Sequence, residues 1–333
     1  MPLFERRALM CAALASLTLG LASLGFASSG LAQAPWPNRA VTVMVPFVAG
    51  SNTDTAARIF TDRLQARLGQ PFVIENRAGA GGATGIRALT RSTADGYNIG
   101  VVTAGTLNIL PHLYGDKLGY DSLADIKPIA VVGYQPNILV VHPGMPVTNV
   151  AEFVAHVAAN PNKYSYGTSG LGTSQHLCME LIVQATGLKL THVPYRGSNQ
   201  IMQDLIAGHV HMSCDQFSSA IAQVRGGNAR AIAVSSLTRY PAAPDVPALA
   251  ETFPGLDVTW AAVFIAPAGI PKEAADRLTA ELVAITKEPD VQRRLSELGV
   301  TPMQVVGEAL DAQVRADFIR WKPLVERANI PAP

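Results

Sequence analysis

Along this chain the hydrophobic positions alternate between short continuous runs and positions spaced three and four apart, the signatures of buried strands and one-sided helices. Val41–Val45 is an apolar, β-branched run, and Pro46, which has no N–H for a ladder, ends it. Residues 50–54 are turn and capping types, and helical spacing follows from Thr55 to Leu68 with Gly69 as a C-cap. The device then recurs. Residues 71–75 form a strand before the glycine-rich loop 76–82, residues 98–103 a strand before the turn 103–106, and residues 164–167 a short strand before turn 168–174. Residues 126–132 and 137–141 read as two strands broken at Gln135-Pro136, and 190–193, 210–214, 230–235 and 258–266 as four more. From Pro271 the spacing is helical almost to the end, with breaks at Pro289, Gly299 and Pro302. Strand–helix alternation of this kind predicts an α/β fold with parallel sheets.

In such sheets ligands lie beyond the carboxyl ends of the strands. The three turns richest in small polar residues, 51–54, 103–106 and 168–174, all fall at predicted strand ends. Helix N-termini with free N–H groups follow them, and an anion, above all a carboxylate, suits such places. If two sheets face each other, the turns line one cleft.

Composition narrows the field. The 333 residues are 48% hydrophobic and only 15% charged, enough apolar material for two domains. The net charge of +1 gives no electrostatic footprint for nucleic acid. Part of the apolar excess sits at the start: Arg6-Arg7, an uncharged Ala/Leu-rich run, then small residues up to Ala34. This pattern predicts a secretory signal peptide over residues 1–34, cut after Ala34 or after Ala32, and an exported, soluble product. Cys178 and Cys214 remain in the mature chain. An oxidising compartment would let them pair, but their apolar neighbours Leu177, Met179 and Met212 read as those of two separate buried thiols.

Catalytic and metal motifs are weak. Gly79-x-Gly81 lacks the third glycine of a dinucleotide fingerprint, since Thr84 stands in its place. Gly167-Thr168-Ser169-Gly170 approaches a nucleophile elbow, but Leu171 replaces its last glycine. A secreted hydrolase using Ser169 with His176 is therefore only an alternative. His209 and His211 alternate onto one face of a predicted strand without a third ligand. Asp54 reads as an N-terminal helix residue satisfying loop amides, and Asp215 as a lone carboxylate at a strand end. No cofactor and no metal are expected.

Longer stretches carry a resemblance. Pro46 to Asp54 (P-F-V-A-G-S-N-T-D), Glu75 to Gly82 (E-N-R-A-G-A-G-G), Ala94 to Tyr97 and Thr103 to Thr106 resemble the Bug-type receptors of tripartite tricarboxylate transporters. Tyr166 to Thr173, His192 to Gly197, Ala231 to Pro247 and Phe264 to Pro271 continue the likeness in order. The resemblance implies a type II periplasmic-binding-protein fold: two α/β domains, 35–136 with 260–333 and 137–259, closing like a flytrap on a small carboxylate. It implies ligand contacts from Phe47, Val48, Ala49, Ser51, Asn52, Thr53, Asp54, Thr103 and Thr106 on one side. Thr168, Ser169, Gly170, Gly172, Thr173, Ser174 and Asp215 would face them. The family usually carries Gly-Gly where this chain has Gly50-Ser51, so Ser51 adds a side chain at the pocket mouth. The implied setting is the periplasm, the implied form a monomer, and the implied partners are membrane permease subunits, with a sensor kinase as the alternative. Dicarboxylates, aromatic acids and amino acids all remain open as ligands.

Overall fold

The computed structural model describes residues 35–328, so the expected signal peptide lies outside the described residues. Its scaffold is one mixed sheet in the order β2-β1-β3-β9-β4-β7-β5-β6, with β10 and β8 also paired to β4. The strands are β1 (Val41–Val45), β2 (Phe72–Asn76), β3 (Asn98–Thr103), β4 (Ile126–Val141), β5 (Ser165–Thr168), β6 (Thr191–Pro194), β7 (Met212–Gln216), β8 (Arg230–Val234), β9 (Thr259–Pro267) and β10 (Thr301–Val306). Helices α1 (Asn52–Leu68), α2 (Ala83–Thr90), α3 (Ala104–Asn108) and α4 (Leu110–Tyr114) follow the first three strands. Helices α5 (Val150–Ala158), α6 (Ser174–Thr186), α7 (Ser198–Ile206) and α8 (Phe217–Arg225) are threaded among β4 to β8. The chain closes with α9 (Lys272–Thr286), α10 (Pro289–Glu297) and α11 (Gly307–Ala328).

Three expectations are corrected. The sheet is not parallel throughout: β1 with β2 and β3, and β5 with β6 and β7, are parallel, but every pairing of β4 and β9 is antiparallel. β9 carries the chain back towards β3 and so runs against it. The second correction is at Gln135-Pro136, where β4 continues unbroken for 16 residues. Pro136 is the last residue paired with β9, opposite Thr259, and Asn137 is the first paired with β7, opposite Gln216. A proline costs little where a strand changes partners, because no ladder bond is expected of its nitrogen there. The third is β10, a strand inside the stretch read as helical. Pro302 lies in it beside a register shift, on an antiparallel edge with β4. Pro289, read as a break, is the first residue of α10, where a missing N–H is harmless.

Alternation along β4 distributes its side chains to different cores. Leu139 and Val141 join a cluster with Tyr166, Cys178 and Met212, while Ile138 and Val140 join one with Ile201, Phe217 and Tyr240. Nearer the first strands, Val41, Val43 and Val45 pack with Phe60, Phe264 and Leu278, whereas Met44 packs with Ile86 and Val102. The C-terminal helix α11 reaches both ends: Leu310 sits with Met44, and Trp321 and Val325 with Leu139. No described helix is long and apolar enough to cross a membrane.

Candidate ligand-binding site

Each strand-end turn is built by its own polar side chains. After β1, Gly50 takes φ +77°, which glycine adopts without a Cβ penalty, while Ser51 at φ −68° caps α1 by accepting the Asp54 N–H at 3.3 Å. The second glycine usual in the family is therefore not demanded by the backbone here. The Asp54 carboxylate accepts from the Gly50 N–H at 2.9 Å, from Arg58 at 2.9 and 3.0 Å and from Asn76 at 3.0 Å. Burial works to raise its pKa, but these hydrogen bonds and the Arg58 charge hold it below the ordinary value. After β3, Thr103 caps α3 through the Thr106 N–H at 3.1 Å. In turn 168–174, the Thr173 hydroxyl donates to Gly170 O at 2.8 Å and Ser169 N–H donates to Gln175 Oε1 at 2.8 Å.

These turns meet at a cavity of about 360 Å³. Nine of the expected residues line it: Phe47, Val48, Ser51, Asn52, Thr53, Thr103, Ser169, Thr173 and Ser174. The other seven stand off its wall for identifiable reasons. Ala49 points to solvent and Asp54 is buried among its four donors. Thr106 is consumed by Thr103, and Thr168 by His192 Nε2 at 2.6 Å. Gly170 gives its carbonyl to Thr173, and Gly172 faces Leu110 and Leu113 so closely that a Cβ would lie 2.6 Å from Leu110. Asp215 lies just behind the wall, fully buried, with Oδ1 accepting from Gln175, Ser198 and the Gln216 N–H at 2.5–2.6 Å.

The wall also takes residues not anticipated, chiefly Gln175, Arg196, Ser198, Gln216, Ser219 and Trp260. Arg196 and Gln216 follow the carboxyl ends of β6 and β7, so the rule applied to the other turns reaches them as well. Trp260 lies inside β9, and nothing local marks it. Asn52 donates across the cavity mouth to Gln216 Oε1 and to Ser219 Oγ, the latter at 2.9 Å. The glycine-rich loop 76–82 has a packing explanation. Gly81, at φ +63°, abuts turn 168–174 so tightly that a Cβ would sit 2.4 Å from Leu171 O.

The hydrolase pair does not assemble. His176 receives the Gly172 N–H on Nδ1 at 3.3 Å and lies 4.6 Å, ring to ring, from His192, away from Ser169 on the cavity wall. Burial first, then the neighbouring His192, pushes its pKa down to about 3, leaving a poor base. His209 and His211, read as sharing one face of a strand, are likewise split, since β7 begins only at Met212. His209 turns to Asp204 and His211 to Ser165, and no group of three metal-ligating side chains occurs among the described residues. Cys178 and Cys214 are corrected too. They form a disulfide joining α6 to β7, with Cα atoms 6.1 Å apart. Apolar neighbours signal burial, and burial does not oppose pairing once helix and strand pack directly.

The sequence profile of the tripartite tricarboxylate transporter family receptor matches residues 56–330. The chain belongs to this family. Among solved structures, the receptor is similar to the periplasmic binding protein BugD, with 34% identity over 89% of this chain and 99% of that one and a TM-score of 0.83. Rpa4515 of R. palustris, solved with adipate, is 33% identical over 89% and 99% of the two chains at a TM-score of 0.84. MatC from Rhodopseudomonas palustris, solved with bound malate, is 30% identical over 87% and 100% at a TM-score of 0.80. The receptor is thus a periplasmic solute-binding protein and not an enzyme, with the α/β binding-protein fold expected from its sequence.

Two predictions arise at this site. Desolvation drives the Asp215 pKa up to about 6, against three hydrogen bonds that favour its ionised form. An acid whose folded pKa exceeds its unfolded value costs stability once pH passes the unfolded pKa, and the cost is complete above the folded one. Asp215→Asn keeps an acceptor at Oδ1 and removes the charge, a gain offset in part by an amide NH2 placed where Oδ2 has no partner. It is expected to stabilise the receptor by about 1–2 kcal/mol at pH 8 and by much less near pH 4. Thermal unfolding at both pH values reads this, and a larger gain at pH 4 would contradict it. Ser51→Gly should cost only a few tenths of a kcal/mol, because glycine is itself a tolerable N-cap, yet alter ligand preference by removing a hydroxyl from the wall. Matching ligand profiles for variant and wild type would refute that role.

Proposed function

We propose that the receptor captures a small carboxylate in this cavity and delivers it to the permease subunits of a tripartite transporter. The observation that carries the reading is the wall itself: hydroxyls and amides from five strand ends converge with one cationic side chain and no acidic one. Hydrogen bonds to a charged group contribute about 1.5–3 kcal/mol each, so a few such donors account for tight capture. The relatives solved with adipate and malate support the class of ligand.

Residues 35–136 with 260–333 act as one lobe and 137–259 as the other. The change of partners along β4 between Pro136 and Asn137 supports that boundary. Closure about β4 and β9 brings the β1 and β5 turns onto the ligand from opposite sides. The arrangement calls for no cofactor or metal, and export through a cleavable signal peptide places the lobes in the periplasm.

The test is a thermal-shift screen of mono-, di- and tricarboxylates, aromatic acids and amino acids. A ligand at a hundredfold excess over its dissociation constant should add about 2.7 kcal/mol to stability. No shift with any acid would sink the receptor reading. Uptake of the same acid by cells should then depend on the receptor gene.

A further inference from the structure

The cavity is electrically lopsided. On the β1 side, the anion-attracting N-terminus of α1 already holds a carboxylate, that of Asp54, which takes the Gly50 N–H and pairs with Arg58. A ligand's carboxylate placed there would meet a helix end whose charge is already answered. On the loop after β6 stands Arg196, the single charged side chain of the lining, beside Gly197, where a Cβ would lie 3.6 Å from Val48. It is exposed and makes no ion pair among the described residues, whereas Arg58, Arg63, Arg67 and Arg239 are all engaged by carboxylates.

Its position is nevertheless fixed. The preceding residue, Tyr195, donates its N–H to Thr168 O at 2.8 Å and its hydroxyl to Asp204 at 2.7 Å. The Arg196 N–H itself donates to Gln200 Oε1 at 3.3 Å, tying the loop to the first turn of α7. Behind it, Ser198 and Gln175 are oriented by the buried Asp215, which faces them with its carboxylate rather than the cavity. A guanidinium on a short, anchored loop presents a planar donor fork suited to a carboxylate.

From this we infer that Arg196 is the residue that reads the ligand's charge: the ionised carboxylate of the solute seats against Arg196 beside α7. The inference rests on the carboxylate-receptor reading and adds to it the side chain at which charge is recognised. The solutes favoured are acids that carry an ionised carboxylate at one end and a neutral hydrogen-bonding or apolar body at the other.

The experiment compares wild type, Arg196→Met and Arg196→Lys by calorimetric titration. The probes are the tightest acid from the thermal-shift screen and the primary amide of that same acid. Methionine keeps an apolar stem while removing the charge, and as an exposed substitution it should leave the unliganded melting temperature nearly unchanged. The expected result is a loss of about tenfold or more in acid affinity for Arg196→Met, in line with one charged hydrogen-bonded contact. Lysine should recover part of that loss, and the amide should bind wild type and Arg196→Met equally weakly. Equal acid affinity in wild type and Arg196→Met overturns the inference while leaving the receptor reading intact. An equal fractional loss for acid and amide also overturns it, by showing a packing role. If no acid in the screen binds wild type, the receptor reading itself falls and the assignment of Arg196 falls with it.

Discussion

Replacing both Cys178 and Cys214 with alanine is expected to lower the stability of the receptor by about 4 kcal/mol. The bridge closes a loop with a sequence separation of 36, and the chain-entropy account of disulfides gives about that value for a loop of such length. Both sulfurs are fully buried among Tyr166, Leu177 and Met212, so alanine also removes some packing there. The consequence reaches the site. Cys214 directly precedes Asp215 and Gln216, and Cys178 is one helical turn from Ser174 and Gln175. Urea unfolding of wild type, wild type under reducing conditions and the double alanine variant measures the effect. A midpoint shared by all three would show that the bridge adds nothing. Ligand affinity of the variant should also fall, since the covalent tie between the elements carrying Gln175 and Gln216 is then gone.

Asp54→Ala is expected to cost about 2–4 kcal/mol. The carboxylate is 1% exposed and serves the Gly50 N–H, Asn76 and both arms of Arg58. Its removal takes away several hydrogen bonds to a buried charge, worth about 1.5–3 kcal/mol each, offset in part because the Gly50 N–H lies on an exposed residue and Asn76 still donates to Phe47 O. Arg58 is half exposed and can turn to water, so its share is small. The pH dependence has a definite sign. Because the folded pKa of Asp54 is depressed, its contribution is complete above the unfolded value of about 4 and is lost as pH falls through the lower folded value. The stability gap between wild type and Asp54→Ala should therefore narrow on acidification from pH 5 to pH 2. A gap that widens in acid, measured by chemical unfolding at fixed pH, would refute this account.

The two predictions concern residues whose roles differ in how far the chain reveals them. Asp54 was legible as a helix-start residue because an N-cap pattern is local: Ser51 and Asp54 are three positions apart and find each other within one turn. The disulfide was not, since Cys178 and Cys214 meet only when α6 lies on β7. The cavity divides along the same line. The hydroxyl-rich turns could be found from strand-end position and residue type, and nine of their residues reach the wall. Of two neighbouring threonines, Thr103 caps α3 and still reaches the wall, whereas Thr106, inside α3, is 1% exposed and hydrogen-bonded to Thr103. Trp260 entered from near the start of β9, where a buried aromatic has the same local signature whether it packs in a core or lines a cavity.

By itself, then, the sequence determined most of the strands and helices, the capped turns at the strand ends and the membership in a receptor family. Those features follow from apolar periodicity, proline and glycine backbone limits, and capping chemistry, all of which act over a few residues. The continuity of β4 through Pro136, the strand β10, the Cys178–Cys214 bridge and the electrical asymmetry between Asp54 and Arg196 were decided by tertiary structure alone. Each depends on which distant segment supplies a hydrogen-bond partner, a sulfur or a counter-charge, and no local pattern encodes that partner.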